Sequence, residues 1–309
     1  MPNGVDDLSI IFAPIGAGPM YATPTGFIDP NTGKDLREIF AVNTTRTILD
    51  DTKLLLQNGI DLRYIFQGIQ LVSIGGTGTY TENITGNKYT YTFTIGTNTI
   101  SINQNISSFN AIVVGAGGNG SNSINSLGGG GGGGGFGYIS FSYVANTIYN
   151  ISVGAIGGSK ADGGSSFFTN SSGIGVTSTG GKRNANFGRP QSGVCTNNGI
   201  VDTFVSRTGG TGGTIGDPNG ENSSGSITVL GVTYNYSGGG RAGTGTFSNA
   251  NNKGGNAGLN GVGGTGTTAT INGETASTPG SGGGGTGYST GATAGFGGRG
   301  EVIVTFTYP

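Results

Sequence analysis

The composition of this 309-residue chain is dominated by glycine, which supplies 69 positions, and only 9% of its residues are charged. Glycine does not fall at every third position and there are only 9 prolines, so a collagen triple helix is excluded. The net charge of −1 leaves little from which to build the basic patch of a nucleic-acid binder. Because 33% of the residues are hydrophobic, and the aromatic ones lie in alternating runs, the chain can bury a core.

Residues 1–70 contain a short repeat and few glycines. The pattern Asp-Leu-x-x-Ile-Phe occurs at residues 7–12, 35–40 and 61–66. Aspartate is a favourable N-cap, and the Leu, Ile and Phe that follow fall on one face of a helical turn. Each unit is too short to be stable alone and must pack on a partner. The pattern therefore predicts short helical segments, which either dock on another protein as an anchoring arm or form a subdomain on their own chain.

These units resemble the Gly-x-Asp-Leu-x-x-Ile-Phe repeats of virion structural proteins from large DNA viruses and some phages. In those proteins the repeats often precede glycine-rich β domains. The resemblance implies that residues 1–70 form an anchoring segment and that residues 71–309 form a separate glycine-rich β domain.

Alternating β-forming residues begin near Thr79. Tyr and Phe alternate with Thr over residues 89–95, and residues 100–102 are expected to continue after a Gly-Thr-Asn turn. Residues 109–114 are apolar on both faces, which predicts a central strand. The remaining runs are residues 138–143, 147–153, 165–168 and 301–308, with a hairpin around Gly231 formed by residues 227–230 and 232–236. These runs give about eight to ten strands, enough for a two-sheet sandwich.

Glycine-rich segments separate these strands, at residues 128–137, 154–164, 209–216, 238–245, 254–266 and 280–300. They can be flexible loops, or they can adopt the extended left-handed helix with three residues per turn that proline favours. Such helices pack closely and hydrogen-bond sideways through backbone groups, which need partners wherever they are buried. Because an isolated glycine tract is costly to order, the presence of several tracts favours a bundle of polyglycine II-type helices.

The order of these segments resembles the glycine-rich domain of phage tail fibres and giant-virus surface proteins. The matching pieces include Ala-Ile-Val-Val-Gly-Ala-Gly-Gly, the polyglycine tract and the final Gly-Gly-x-Gly-x-Val-Ile-Val, and they lie at residues 111–118, 128–135, 149–158, 163–166 and 297–304. The resemblance implies a jelly-roll-like β-sandwich with inserted polyglycine helices, and a homotrimeric assembly.

Two motifs are similar to known ligand sites. Residues 115–120 fit G-x-G-x-x-G after a strand, but polyglycine follows instead of a helix and the next acid is Asp162, so nucleotide binding is not expected. Asp217, Asn219 and Glu221 alternate like the start of a calcium loop, although Asp-Pro-Asn-Gly at residues 217–220 is typical of a turn.

Histidine is absent and Cys195 is the single cysteine. A Ser/His/Asp triad and an internal disulfide are therefore impossible, and no histidine can activate the Cys195 thiol. The acids of the β region are too scattered to suggest the paired carboxylates of a glycosidase. We predict that the protein is not an enzyme and that it has no catalytic, cofactor-binding or metal-binding residues.

Aromatic residues in or beside the glycine segments either seal the edges of the bundle or stack on the sugars of a receptor. They are Phe136, Tyr138, Phe187, Phe247, Tyr288 and Phe296. The local basic cluster of Lys182, Arg183 and Arg189 is expected to be a solvated loop.

The sequence predicts a virion structural protein, namely a fibre, spike or capsid decoration attached through residues 1–70. The alternative is a receptor-binding adhesin that recognises host surface glycans. Expected partners are other virion proteins and further copies of the chain, with a trimer favoured. No apolar run reaches the length of about 18 residues that a transmembrane helix needs. The N-terminus lacks a secretory signal, so we expect synthesis in a cytoplasm and a final location on the particle surface, outside cells.

Overall fold

The computed structural model describes residues 72–85, 87–122, 128–158, 161–183, 189–199, 202–214, 217–243, 255–264, 270–288 and 291–307. All of them belong to a unit that spans Val72–Pro309. The three Asp-Leu-x-x-Ile-Phe repeats, and the helical segments predicted there, lie outside these ranges. The regular secondary structure of the described residues is entirely β, and none of it is a helix long and apolar enough to cross a membrane.

Thirteen strands are described, numbered in chain order. They are β1 (Val72–Gly76), β2 (Thr79–Thr85), β3 (Lys88–Ile102), β4 (Ile106–Val114), β5 (Phe136–Tyr143), β6 (Tyr149–Val153), β7 (Ser166–Asn170), β8 (Gly175–Ser178), β9 (Cys195–Asn198), β10 (Thr203–Arg207), β11 (Ile227–Val229), β12 (Val232–Tyr234) and β13 (Glu301–Thr307).

Eleven strands form one sheet with the order β10-β5-β4-β13-β3-β6-β7-β8-β9, and β1 and β2 also pair with β3. All of the described pairings are antiparallel. The sheet curls until its two edge strands, β10 and β9, nearly meet. Evidence for this is that Gly137 of β5 lies against both Cys195 of β9 and Val205 of β10. The result is a nearly closed sheet around a single interior.

The long strand β3 connects the two halves of this sheet by bending at Gly96. Its first part pairs with β13, whereas Gly96 and the residues after it pair with β6. Gly96 has a φ of 78°, which a residue with a Cβ adopts only with strain. The Gly-Thr-Asn turn predicted at residues 96–98 is therefore wrong. Residues 96–98 are part of the strand and hydrogen-bond to neighbours on both sides, so the chain bends at Gly96 while it stays in the sheet.

Aromatic side chains fill the interior between the two halves. The ring of Phe109 lies 5.7 Å from that of Phe306 in its own half and 5.9 Å from that of Phe168 in the other half. Each of these three phenylalanines is fully buried. Burial of one such side chain contributes about 1.5–3 kcal/mol, so this ring cluster holds the two halves together.

The central position of β4 follows from its sequence. It lies between β5 and β13, and residues 109–114 are all buried. One face of β4 lies against the aromatic interior. The other face is covered by Ile227 and Val229 of the β11–β12 hairpin and by Tyr236, which follows it, and these pack with Ile112 and Val114. A strand buried on both faces requires apolar residues at successive positions, as predicted.

Candidate functional site

The glycine segments all leave the sheet at one end. Val114 of β4 continues into residues 115–122, which run away from the sheet, and residues 128–135 return to Phe136 of β5. The strands β6, β8, β10 and β13 join glycine segments at the same end. Glu301 and Phe136 both pair with Val114, and Arg207 of β10 pairs with Phe136. In the other half, Val153 pairs with Gly96, and Ser178 of β8 pairs with Ser166 at the start of β7. Val72 and Thr307 lie at the opposite end, where they pair with Ile102 and Lys88.

Residues 128–135 form the centre of the glycine bundle. Their hydrogen bonds and close contacts join them to six other segments, at residues 115–121, 179–182, 191–193, 210–213, 237–243 and 280–286. None of these hydrogen bonds lies within the segment itself, so the central tract is held only by its neighbours.

The hydrogen bonds of this tract repeat every three residues. The N–H groups of Gly128, Gly131 and Gly134 donate to the carbonyls of Thr286, Gly283 and Gly280. The intervening N–H groups of Gly130 and Gly133 donate to residues 213 and 210, and those of Gly132 and Gly135 donate to residues 182 and 179. Each third residue thus faces the same neighbour, which is the pattern of an extended chain with three residues per turn.

The neighbouring segment at residues 115–121 shows the same period. Its residues 115, 118 and 121 donate to 135, 132 and 129, residues 116 and 119 donate to 164 and 161, and residues 117 and 120 donate to 298 and 295. The period of three is therefore a property of the bundle and is not confined to one tract.

Most glycines of the bundle lie where no space is left for a side chain. A Cβ added at Gly131 would overlap the carbonyl of Gly118, and one added at Gly130 would overlap the carbonyl of Gly240. By contrast, a Cβ at Gly158 would meet no atom within 4 Å. The glycines of the interior are thus required by the close approach of backbones.

A few buried polar side chains fasten the tracts to one another and to the sheet. The amide nitrogen of Asn119 donates to the carbonyls of Gly158 (2.6 Å) and Gly157 (3.2 Å), and its oxygen accepts from the N–H of Gly297 (2.9 Å). At the junction with the sheet, the Ser166 hydroxyl donates to the carbonyl of Val114 at 2.6 Å. Two of these contacts satisfy backbone groups of the buried residues Gly297 and Val114.

Ion pairs lie on the tracts that lead away from the sheet. Lys182 contacts Asp162 at 3.0 Å, and the backbone N–H of Arg183 donates to the same carboxylate at 2.9 Å. Partial burial tends to raise the pKa of Asp162, but the hydrogen bonds from Arg183 and Lys182 and the charges of both residues lower it below its usual value. Lys182 and Arg189 of the predicted basic cluster are exposed, as expected of a solvated segment, and Lys182 also forms this surface ion pair.

Arg189 contacts the carboxylates of both Asp217 and Glu221, and it also donates to the Thr211 hydroxyl at 3.1 Å. The two acids of the calcium-like motif therefore face a guanidinium group. Within the described residues no cluster of three or more metal-ligating side chains occurs. This arrangement favours a cross-link between tracts over a cation site.

The G-x-G-x-x-G motif lies inside the bundle. Its backbone N–H groups donate to glycine segments and not to an open phosphate site, and no helix follows it among the described residues. Cys195 is buried, and burial raises the pKa of its thiol to about 11, so the thiolate needed of a nucleophile is disfavoured.

The aromatic residues of the glycine segments have different environments. Phe136 is fully buried and its ring makes an edge contact with Tyr236 at 5.6 Å, whereas Phe296 is 41% exposed. Tyr138 and Tyr288 are half-buried. Phe187 and Phe247 lie outside the described residues. Of the aromatic residues singled out from the sequence, Phe136 is therefore buried in the fold, whereas Phe296 is exposed to solvent.

Among the described residues, four tracts reach a common level far from the sheet. Backbone hydrogen bonds place Ser121, Gly128, Gly243 and Thr286 at one level, since Gly128 donates to Thr286 and accepts from Gly243, and Ser121 donates to Gly129. We call this level the far end of the bundle.

An all-β sheet that carries a backbone-packed glycine bundle defines a class of glycine-rich β proteins. Residues 90–307 match the family described as a glycine-rich domain, and the chain belongs to that family. No curated protein was found to match the chain.

Proposed function

We propose that the protein is a virion structural protein, a fibre, spike or capsid decoration that attaches through residues 1–70 and projects its glycine-rich β unit. The observation that carries this proposal is that the first strand of the unit begins at one end of the sheet and the glycine bundle leaves from the other. The described chain begins at Val72 at one end of the sheet, and the glycine bundle leaves from the opposite end. Attachment through the preceding residues would leave the bundle directed away from the particle.

We also propose the finer architecture that the sequence suggests. The period of three in the hydrogen bonds supports polyglycine II-type helices. The two halves of the curled sheet, which share one aromatic interior, support a jelly-roll-like sandwich. Because backbones in the bundle pack closely and hydrogen-bond to one another, it would form a stiff projection, and its surface carries charges of both signs.

In this proposal the protein is located on the particle surface, outside cells after assembly. Its partners are other virion structural proteins, and it forms homo-oligomers, for which the resemblance to fibre proteins favours a trimer. The low net charge of −1 is compatible with close packing of copies, since long-range repulsion between them is small.

The test is removal of residues 1–70, accompanied by a full-length variant with Phe12, Phe40 and Phe66 changed to Ala. Both proteins are expected to fail to incorporate into particles, while their β unit unfolds at the same denaturant concentration as in the parent. Normal incorporation of either variant would refute attachment through the repeats. Unfolding of the β unit in both variants would show instead that residues 1–70 are part of its fold.

A second candidate is an adhesin whose bundle recognises host surface glycans. Phe296 favours it, because this residue is 41% exposed. Its neighbour Gly295 accepts a hydrogen bond from Gly120, in the segment that leads away from the sheet, so the ring lies on the bundle. Aromatic faces at such positions stack on sugars. The experiment compares host-surface binding of a variant with Phe187, Phe247 and Phe296 changed to Ala against an Ile148→Ala control, which alters an exposed residue of the sheet. Equal binding by both would reject the adhesin function.

A further inference from the structure

The strand β2 is an open edge of the sheet. All seven of its residues are exposed, and β3 is the only strand with which it pairs in the described part of the chain. On the side away from β3, its backbone N–H and C=O groups are therefore available to another strand.

This edge lacks most of the features that normally prevent pairing between molecules. Residues 79–85 contain neither Lys, Arg nor Pro, and the one irregularity in register lies at the start of the strand, between Thr79 and Tyr80. Its single charge, Glu82, accepts a hydrogen bond from the Tyr91 hydroxyl at 2.7 Å. An edge of this kind is expected to add a strand.

The side chains on one face of β2 also lie at the margin of the aromatic interior, where no further strand covers them in the described part of the chain. Tyr80, Glu82 and Ile84 lie on the face of the sheet that carries the buried Phe93 and Tyr91. Tyr80 is 41% exposed and Ile84 is 48% exposed, although the Tyr80 ring is 5.6 Å from that of Phe93. An added strand would cover both residues and extend the interior by one strand.

We propose that β2 of one copy pairs antiparallel with β2 of a second copy, in a register centred on Glu82. The strand is self-complementary in this register, because Tyr80 and Ile84 are equidistant from Glu82. Each Tyr80 then lies opposite the Ile84 of the other copy, and each Thr81 lies opposite an Asn83. Aromatic and β-branched pairs of this kind stabilise adjacent strands. The contact is isologous, with the same patch used twice.

The register has one unfavourable pair, since Glu82 lies opposite its own counterpart at the two-fold axis. Like charges directly opposite each other destabilise a strand pair, whereas each of the two Tyr–Ile pairs stabilises it. Glu82 thus limits the affinity of the contact without abolishing it. The Glu82 pair also distinguishes the proposed register from one shifted by two residues. In the shifted register Glu82 lies opposite Tyr80 or Ile84, and the two Glu82 side chains do not face each other.

The inference is independent of the proposed function, because it concerns a contact between copies whatever the protein attaches to. It is also independent of a trimer formed through another surface. Copies that pair through β2 and also form trimers would give an assembly of six.

The first experiment measures the molar mass of the full-length protein over a range of concentrations, together with three variants. The parent is expected to contain an even number of copies. Ile84→Lys should weaken association about tenfold and Glu82→Gln should strengthen it about two- to fivefold. Ile148→Lys is the matched control and should change nothing, because Ile148 is equally exposed but lies away from β2. A monomer at all concentrations, or a mass unchanged by Ile84→Lys, would overturn the proposal.

The second experiment tests the register. Glu82→Cys places two thiols opposite each other at the axis and should form an intermolecular disulfide rapidly under mild oxidation. Asn83→Cys is the control, because its counterpart lies two positions away along the strand, and it should cross-link much more slowly. The native Cys195 is buried and does not contribute. Equal rates for the two variants, or faster reaction of Asn83→Cys, would overturn the register centred on Glu82.

Discussion

The hydroxyl of Tyr236 donates a hydrogen bond of 2.8 Å to the carboxylate of Glu301, and both side chains are buried. Tyr236 follows the β11–β12 hairpin, and Glu301 is the first residue of β13. Arg299 lies 3.5 Å from the other carboxylate oxygen. The pair fixes the hairpin on the sheet beside the point where the glycine bundle begins.

Removal of this hydroxyl is expected to destabilise the fold. In Tyr236→Phe the buried carboxylate loses a partner, and hydrogen bonds to charged groups are worth about 1.5–3 kcal/mol. The free energy of unfolding, measured with urea, should fall by about that amount. The control is Tyr234→Phe, since the Tyr234 ring stacks on Tyr236 at 6.1 Å and should tolerate loss of its hydroxyl within about 0.5 kcal/mol. Equal effects of the two substitutions would argue against the Glu301 hydrogen bond.

Substitution of a glycine in the centre of the bundle should be far more harmful than its small size suggests. Gly131→Ala drives a methyl group against the carbonyl of Gly118, and an overpacked site costs about 1–3 kcal/mol or more. Gly158→Ala meets open space and is expected to change stability by less than about 1 kcal/mol. The measurement is the urea midpoint of each variant. Similar midpoints for the two would show that the interior is not closely packed.

Asn119 should contribute more to stability than any exposed asparagine. It is only 2% exposed, and its amide joins residues 157–158 to Gly297. Asn119→Ala leaves the N–H of the buried Gly297 without its acceptor and should cost about 1–3 kcal/mol. Asn219→Ala, at an exposed position, should have an effect within about 0.5 kcal/mol. Thermal unfolding of the two variants provides the comparison, and an equally small change in both would contradict the bridging role.

Stability should decrease at alkaline pH. Burial raises the pKa of Tyr91 and of Tyr236 above the ordinary 10.0, and it raises that of Cys195 from 9.0 to about 11. Since these folded-state pKa values exceed the unfolded ones, the stabilisation is complete below about pH 9 and is lost as the pH rises above it. The urea midpoint should therefore fall from about pH 9 to about pH 11, with tyrosinate absorbance appearing as the protein unfolds. Cys195→Ala should make the decline shallower between these values, and a constant midpoint would contradict the expectation.

The sequence predicts those strands whose side-chain pattern is strong. Residues 109–114 are apolar on both faces, and the structure places them in the middle of the sheet. The strand at Cys195–Asn198 has no such pattern, because its sequence is Cys-Thr-Asn-Asn and its conformation depends on pairing with β8. Gly96 shows a similar limit, since a glycine within an alternating run is compatible with a turn or a bend, and only the neighbouring strands decide between them.

The arrangement of the glycine tracts was less predictable. A polyglycine sequence carries no side-chain pattern that would specify which tract lies beside which. The prediction from sequence extended to a bundle, but the six neighbours of residues 128–135 and the bridging role of Asn119 depend on the fold of the whole unit. The Arg189 contacts with Asp217 and Glu221 were missed because 28 and 32 positions separate the partners.

The period of three in the bundle has a consequence for how such a chain can change length. In a tract with three residues per turn, insertion or deletion of three residues returns every later N–H group to the direction of its original neighbour. Gain or loss of one or two residues turns the rest of the tract by one-third or two-thirds of a turn, so that each donor then faces the wrong neighbour. Natural variation in the length of these tracts is therefore expected in multiples of three.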